Sequence, residues 1–334
     1  MTSEHQVRIA ACHAARREEW EQTSRACDYA TFFHTPIWAD IFFRATRGRM
    51  VPMAEKVEFS DGTGAVIPMV CKKYLGGCFR LFSSMPAGTF GGWVSSDSLT
   101  ETHARLLIER LCRIQDLVWR ENPYDSVLTR MDVCGAVEDF TQVIDLRQGF
   151  PAAEARSDYA HRKAVKKAIE KGVSIAEASN SEQWEKYFLL YRSSRERWRK
   201  KKLQKNRGSR GYDWTMFEEI YRSTPEHRRL WLAYVNGTPV AGILCFYWNR
   251  HAVAWHGAAA AEYFECRPNN LLYEHAGRHA AGAGYHWFDC NPSGGFKGVV
   301  EFKEHLGAQK LRSRVVNRRS MLRGAAELLR GIIP

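Results

Sequence analysis

Between Gly284 and Gly307 the sequence reads Gly-Tyr-His-Trp-Phe-Asp-Cys-Asn-Pro-Ser-Gly-Gly-Phe-Lys-Gly-Val-Val-Glu-Phe-Lys-Glu-His-Leu-Gly. An apolar run delivers Asp289 to a Gly-rich loop, and Lys303 stands one turn before Gly307. A carboxylate and an ammonium set this close suit acyl transfer to an amine, which needs placement, a route for the amine proton and positive charge beside the developing oxyanion. Lys303 supplies the charge, and Asp289 positions the amine or accepts its proton. Asn291 and Phe302, beside them, are candidate substrate contacts. The same spacing also allows Asp289 to cap a loop and Lys303 to be a surface charge, so residue types alone leave both readings open.

The sequence carries no motif for a covalent route: it has neither a G-x-S-x-G elbow nor a Cys/His signature that identifies a nucleophile. Direct transfer is therefore expected. H-E-x-x-H, EF-hand and Walker-type patterns are missing as well, so no metal and no ATP site are predicted.

These residues must be positioned by folded elements, and the pattern of elements occurs twice. Asp61-Gly-Thr-Gly64 turns one hairpin, between Pro52–Phe59 and Ala65–Cys71, and Asn236-Gly237 turns another, between Leu230–Val235 and Pro239–Trp248. Helical segments precede each hairpin, and a strand, a helix and a further strand follow it. In the first half these are Leu81–Ser84, Thr102–Trp119 and Ser126–Val133. In the second half they are His251–Gly257, Asn269–Ala283 and Tyr285–Asp289. This repetition predicts an α/β (α+β) protein of two similar lobes, residues 1–150 and 151–334, each a mixed, mostly antiparallel sheet flanked by helices. Pro151–Ala155 is the expected connection, followed by a basic helix capped by Ser157, Asp158 or both. The helix from Glu182 is expected to fray at Asn206–Gly211.

Composition narrows the class. With 334 residues, 45% hydrophobic and 26% charged, the chain can bury a substantial core. The polar start lacks the basic and apolar regions of a secretory signal, and no apolar run approaches the length of a membrane span. Nine cysteines, an odd number without a C-x-x-C pair, read as reduced thiols of a cytoplasmic protein. The formal charge of +12 is concentrated between Arg156 and Arg210 and again between Lys310 and Arg330, which points to an anionic partner or to solvated helix faces.

The chain resembles the FemAB-related branch of the GNAT acyltransferase superfamily. The resemblance rests on Phe33-His-Thr-Pro-Ile-Trp38, the basic helix Arg162–Gly172, the hairpin ending Gly237–Gly242, and the pattern Phe288-Asp289, Gly298-Val299, Phe302-Lys303 and Gly307. It implies duplicated GNAT-like lobes, with a donor and an amine acceptor meeting between them. The acceptor is a sugar, peptide or cell-envelope precursor, and the donor an aminoacyl-tRNA or an acyl thioester on CoA or a carrier protein. No bound cofactor is implied, and tRNA becomes a candidate partner. Lys303 matches the lysine that assists transfer, and Arg162, Lys163 and Lys166 match a helix that binds an acceptor's phosphates.

Two departures bear on the donor. Residues 180–225 leave no room for the long helical arm of some tRNA-dependent members. Where an acetyl-CoA enzyme has a Gly-rich pyrophosphate turn, this chain reads Phe264-Glu-Cys-Arg-Pro-Asn-Asn270, in which Pro268 lacks an N–H. Arg267 remains able to hold a phosphate, and Asn269 or Asn270 to cap the helix. Trp255-His256, on the preceding strand, line the cleft or belong to the core. Two nonenzymatic alternatives stand beside the transferase reading: an RNA-binding protein, and a degenerate structural partner in an envelope-polysaccharide system.

Overall fold

The computed structural model describes residues 7–74, 79–202 and 211–318. The chain divides into two compact units, Met1–Phe140 with Arg312–Pro334, and Thr141–Leu311.

The first unit begins with β1 (Ile9–Ala14), α1 (Arg17–Ala26) and α2 (Pro36–Ala45). Pro36 opens α2 at the first helical position and Thr35 caps it, accepting the Trp38 N–H. The predicted hairpin is β2 (Met50–Phe59) and β3 (Gly64–Tyr74), closed through Gly62 at φ 86°. Then come β4 (Phe79–Ser84), β5 (Phe90–Gly91), α3 (Glu101–Arg113), β6 (Leu117–Glu121) and β7 (Ala136–Val137). The sequence pattern predicts a helix running on to Trp119 and a strand at Ser126–Val133. Instead the helix stops at Arg113, Asp116 turns at φ 54°, and the strand is Leu117–Glu121 with alternating burial. Residues 128–130 form one 3₁₀ turn, because the Asp125 carboxylate accepts the N–H groups of Val127 and Leu128.

The second unit comprises β8 (Phe140–Asp145), α4 (Phe150–Arg156), α5 (Tyr159–Glu170), β9 (Ser174–Glu177), α6 (Ser181–Lys202), α7 (Trp214–Ser223), β10 (Arg228–Val235), β11 (Thr238–Trp248), β12 (His251–Ala259), α8 (Pro268–Gly282), β13 (Trp287–Asp289), α9 (Lys297–His305) and β14 (Gln309–Arg312). Its sheet runs β14-β8-β13-β12-β11-β10-β9. Asn236 and Gly237, both at positive φ, close the predicted β10–β11 hairpin. Leu272, Ala276 and Ala280 of α8 pack with Val240, Ala252 and Phe288 in one core cluster. The expected fraying at Asn206–Gly211 lies almost wholly outside the described residues.

After β14 the chain returns to the first unit as β15 (Val315–Asn317), completing a sheet ordered β1-β2-β3-β4-β6-β15-β7. Arg314 enters with it, and its guanidinium meets the Glu121 carboxylate at 2.6 Å, the two side chains being 3% and 0% exposed. The division expected at residue 150 therefore falls ten residues earlier in the structure. Strand-like Gln142–Leu146 ladders onto β13 of the second sheet, and the end of the described chain belongs with the first unit. Both sheets are mostly antiparallel, with parallel pairings after the helix crossovers: β4 and β5 with β6 in the first, and β12 with β13 in the second.

Candidate active site

The parallel pairing of β12 and β13 is short: His251 with Trp287, Ala252 with Phe288 and Val253 with Asp289. β13 ends at Asp289 while β12 runs on to Ala259, so from Ala254 onward β12 no longer has β13 as its ladder partner. A bulge in the β11–β12 register falls at Trp255, between Ala254 and His256. The loop after Asp289 crosses beside this divergence, and Asn291 fixes it there by donating its side-chain amide to the Trp255 carbonyl at 3.3 Å. Asn291 takes a left-handed conformation, φ 62°, and Gly294 and Gly295 continue the turn at φ 58° and 78°.

Asp289 is fully buried. Its Oδ1 accepts the Thr141 hydroxyl at 2.5 Å and the Asn291 N–H at 2.7 Å, which locks the start of the loop against β8. Lys303 comes from the other side. Helix α9 ends in a Schellman arrangement, in which Ala308 N–H reaches the Lys303 carbonyl and Gly307 N–H that of Glu304. Gly307 is at φ 79° and packs against the Arg156 backbone so closely that a Cβ there would lie 2.8 Å from the Arg156 carbonyl carbon. That ending fixes the rotation of α9 and turns Lys303 inward, where it is 3% exposed.

The Lys303 ammonium donates to the Asn291 carbonyl at 2.5 Å and to Ser293 Oγ at 2.9 Å. Ser293 in turn donates to Gln142 Oε1 at 2.9 Å, and Gln142 Nε2 donates to the Val300 carbonyl at 2.9 Å. An ammonium has three N–H bonds, so among the described residues one remains beyond these two. Burial pushes the Lys303 pKa below its ordinary value, with Cys290 and Asp289 opposing. Burial also pushes the Cys290 thiol up to about 12, only partly offset by Lys303, so this cysteine is no nucleophile at neutral pH.

Asp289, Asn291 and Lys303 thus form one hydrogen-bonded group. Three further members, Thr141, Gln142 and Ser293, were missed from sequence. Thr141 and Gln142 lie on β8, 148 residues from Asp289 and 151 from Ser293, and only the β8–β13 ladder brings them in. Phe302 stands edge-on to Tyr273 at 5.3 Å and packs against the core. His256 adjoins the group through Trp255 and lies among the rings of Trp255, Tyr191 and Tyr212, at 4.2, 5.1 and 5.7 Å. Burial first, and then Arg195, lower its pKa to about 3, so it is uncharged at neutral pH.

The remaining candidates sit elsewhere on the second unit. Arg267 occupies the N-cap of α8 at φ 55°, with Pro268 at the first helical position. Asn270 N–H is taken by the Arg267 carbonyl, and its side chain meets His161 at 3.2 Å. The other ring nitrogen of His161 lies 3.3 Å from Glu274. Asn270 therefore ties α8 to α5. Arg162, Lys163 and Lys166 are exposed on α5, and Arg162 bonds back to the Ser157 carbonyl. Among the described residues none of these three contacts the Asp289–Lys303 group.

Residues 155–304 match the family model described as "Acetyltransferase (GNAT) domain", and the match lies inside the second unit. This unit is a GNAT-type acyltransferase domain, and the protein is an acyltransferase. Over the whole chain the likeness to solved structures is one of fold. The crystal structure of FemX is similar with a TM-score of 0.65 at 13% identity, over 91% of this chain and 96% of that one. The C-terminal domain of a putative lysylphosphatidylglycerol synthetase from Agrobacterium fabrum is similar with a TM-score of 0.52 at 12% identity, over 87% and 94%. A conserved protein of unknown function from Bacteroides thetaiotaomicron gives 0.52 at 10% identity, over 93% and 100%. No match to a curated protein sequence was found. Among the described residues no helix is long and apolar enough to cross a membrane.

Proposed function

We propose that the protein is an N-acyltransferase that moves an aminoacyl or acyl group directly onto an amine of a sugar, peptide or cell-envelope precursor. The observation that carries this reading is the Lys303 ammonium, buried at the point where β12 and β13 diverge, with two N–H bonds spent on the loop and a third without a partner among the described residues. In the proposed reaction the acceptor amine attacks the donor carbonyl, and the third Lys303 N–H stabilises the oxyanion in a site of low polarity. The C–N bond forms, the bond to the donor's oxygen or sulfur breaks, and the amine proton passes to the leaving group. Asp289 holds the Asn291 backbone through its N–H and so keeps the carbonyl that orients Lys303 in place. Its oxygens are buried, which favours this positioning role over direct contact with the amine. The raised pKa of Cys290 supports transfer without a covalent enzyme intermediate.

The donor in this reading is an aminoacyl-tRNA or an acyl thioester. The start of α8 weighs against a conventionally gripped CoA, because Pro268 offers no N–H and Asn270 is engaged with Arg267 and His161. The test is mass spectrometry of small molecules and RNA that copurify with the protein, followed by a transfer assay with the donor found. Charged tRNA or an acyl thioester whose transfer to an amine fails with Lys303→Met supports the proposal; a folded, fully active Lys303→Met enzyme overturns it.

A further inference from the structure

Helix α5 presents an unusual outward face. At 100° per residue, Tyr159, Arg162, Lys163, Lys166, Ile169 and Glu170 fall on one side of the helix, and all six are exposed. Tyr159 is 72% exposed and Ile169 62%, among the most exposed large hydrophobic side chains of the protein. They stand at opposite ends of this face, about 15 Å apart along the axis, with the cations between them. The opposite side of the helix is anchored by buried His161 and Ala168, so the outward face is held as a fixed surface.

A solvated helix face needs cations but gains nothing from an exposed isoleucine and tyrosine. A nucleic acid would use the cations and could stack on Tyr159, yet it offers Ile169 no partner. An anionic bilayer uses both kinds of side chain: headgroup phosphates meet the cations, and the apolar side chains enter the boundary between headgroups and acyl chains. We propose that this outward face of α5 seats the protein on an anionic membrane surface, with Tyr159 and Ile169 as the inserting side chains and Arg162, Lys163 and Lys166 as the headgroup contacts. Glu170 opposes the contact, since it lies on the same face and reaches Lys166 at 3.9 Å.

The test is cosedimentation of the full chain with vesicles of phosphatidylcholine alone or mixed with phosphatidylglycerol. Binding is expected only to the mixed vesicles, and it should weaken as salt rises. Each neutralised cation should cost about fivefold, so that Lys163→Gln with Lys166→Gln lowers the partition about 25-fold. Tyr159→Ser with Ile169→Ser should lower it about tenfold or more without changing the net charge, and Glu170→Gln should raise it about fivefold. All of these side chains are exposed, so the variants should melt with the parent. Equal binding to both vesicle types, or no binding to either, overturns the proposal. So does an oligoribonucleotide that binds in dependence on the same lysines while Tyr159→Ser and Ile169→Ser leave vesicle binding unchanged, which would make the face a nucleic-acid site.

Discussion

Replacing Lys303 by methionine separates a lysine that acts on the donor from one that only fastens its loop. Methionine keeps most of the side-chain volume, so little cavity opens. The Asn291 carbonyl loses its 2.5 Å donor, which costs about 1–3 kcal/mol as an unpaired buried acceptor. Ser293 keeps its bond to Gln142. Against this, a buried ammonium whose pKa is already pushed down by burial is no longer taken out of water. The two effects oppose, so the folded state should change by no more than about 2 kcal/mol, a shift of a few degrees in Tm for units of this size. Loss of a preorganised donor to an oxyanion costs far more in rate, about 10²- to 10³-fold in kcat. The assay is single-turnover transfer with the copurifying donor, run beside thermal melting, for Lys303→Met and Ser293→Ala. Ser293→Ala removes one loop contact and keeps the charge, so its rate should fall by less than about tenfold. Equal rate losses in the two variants, tracking their Tm, would refute the role assigned to Lys303.

Three further outcomes are expected. Thr141→Val removes the 2.5 Å hydrogen bond to buried Asp289 and should destabilise the second unit by about 1.5–3 kcal/mol in urea melts, while kcat falls with the loosened loop. Gly307→Ala places a Cβ 2.8 Å from the Arg156 backbone at φ 79° and should cost more than about 2 kcal/mol by the same measurement. Fully buried His34 keeps a pKa of about 4 against an ordinary 6.5 because burial disfavours its charge. The unfolded chain therefore takes up a proton first. The stability linked to His34 is complete above pH 6.5 and falls by about 3 kcal/mol as pH drops through 4. His34→Gln should flatten that slope in pH-dependent melts.

Turn chemistry made much of the second unit legible. Asn236-Gly237 and the runs around it fixed β10, β11, β12, α8 and β13 to within a few residues of their observed bounds. In the first unit turn chemistry gives no such guide between Arg113 and Val133, where a three-residue turn ending at Asp116 separates a helix from a strand of similar hydrophobicity. The domain division was illegible for a different reason: alternation in Gln142–Leu146 marks a strand, but nothing in it says which sheet the strand joins. Asp289 and Lys303 stood out by residue type and by resemblance. Thr141 and Gln142, which hold them, carry no local signal, because their roles arise from a pairing across most of the second unit.

The return of β15 to the first sheet has a consequence during synthesis. Thr141–Leu311 is an inserted domain whose entry and exit strands, β8 and β14, are sheet neighbours, so it can close on itself while the first unit waits. A ribosome adding about 5–20 residues per second needs roughly ten to thirty seconds to make the insert. Throughout that interval β6 has no β15 beside it, and Glu121 has no Arg314. A nascent chain stalled before Arg314 therefore offers an open strand edge and a lone carboxylate next to it, which is where a chaperone would be needed and where aggregation of truncated chains would start.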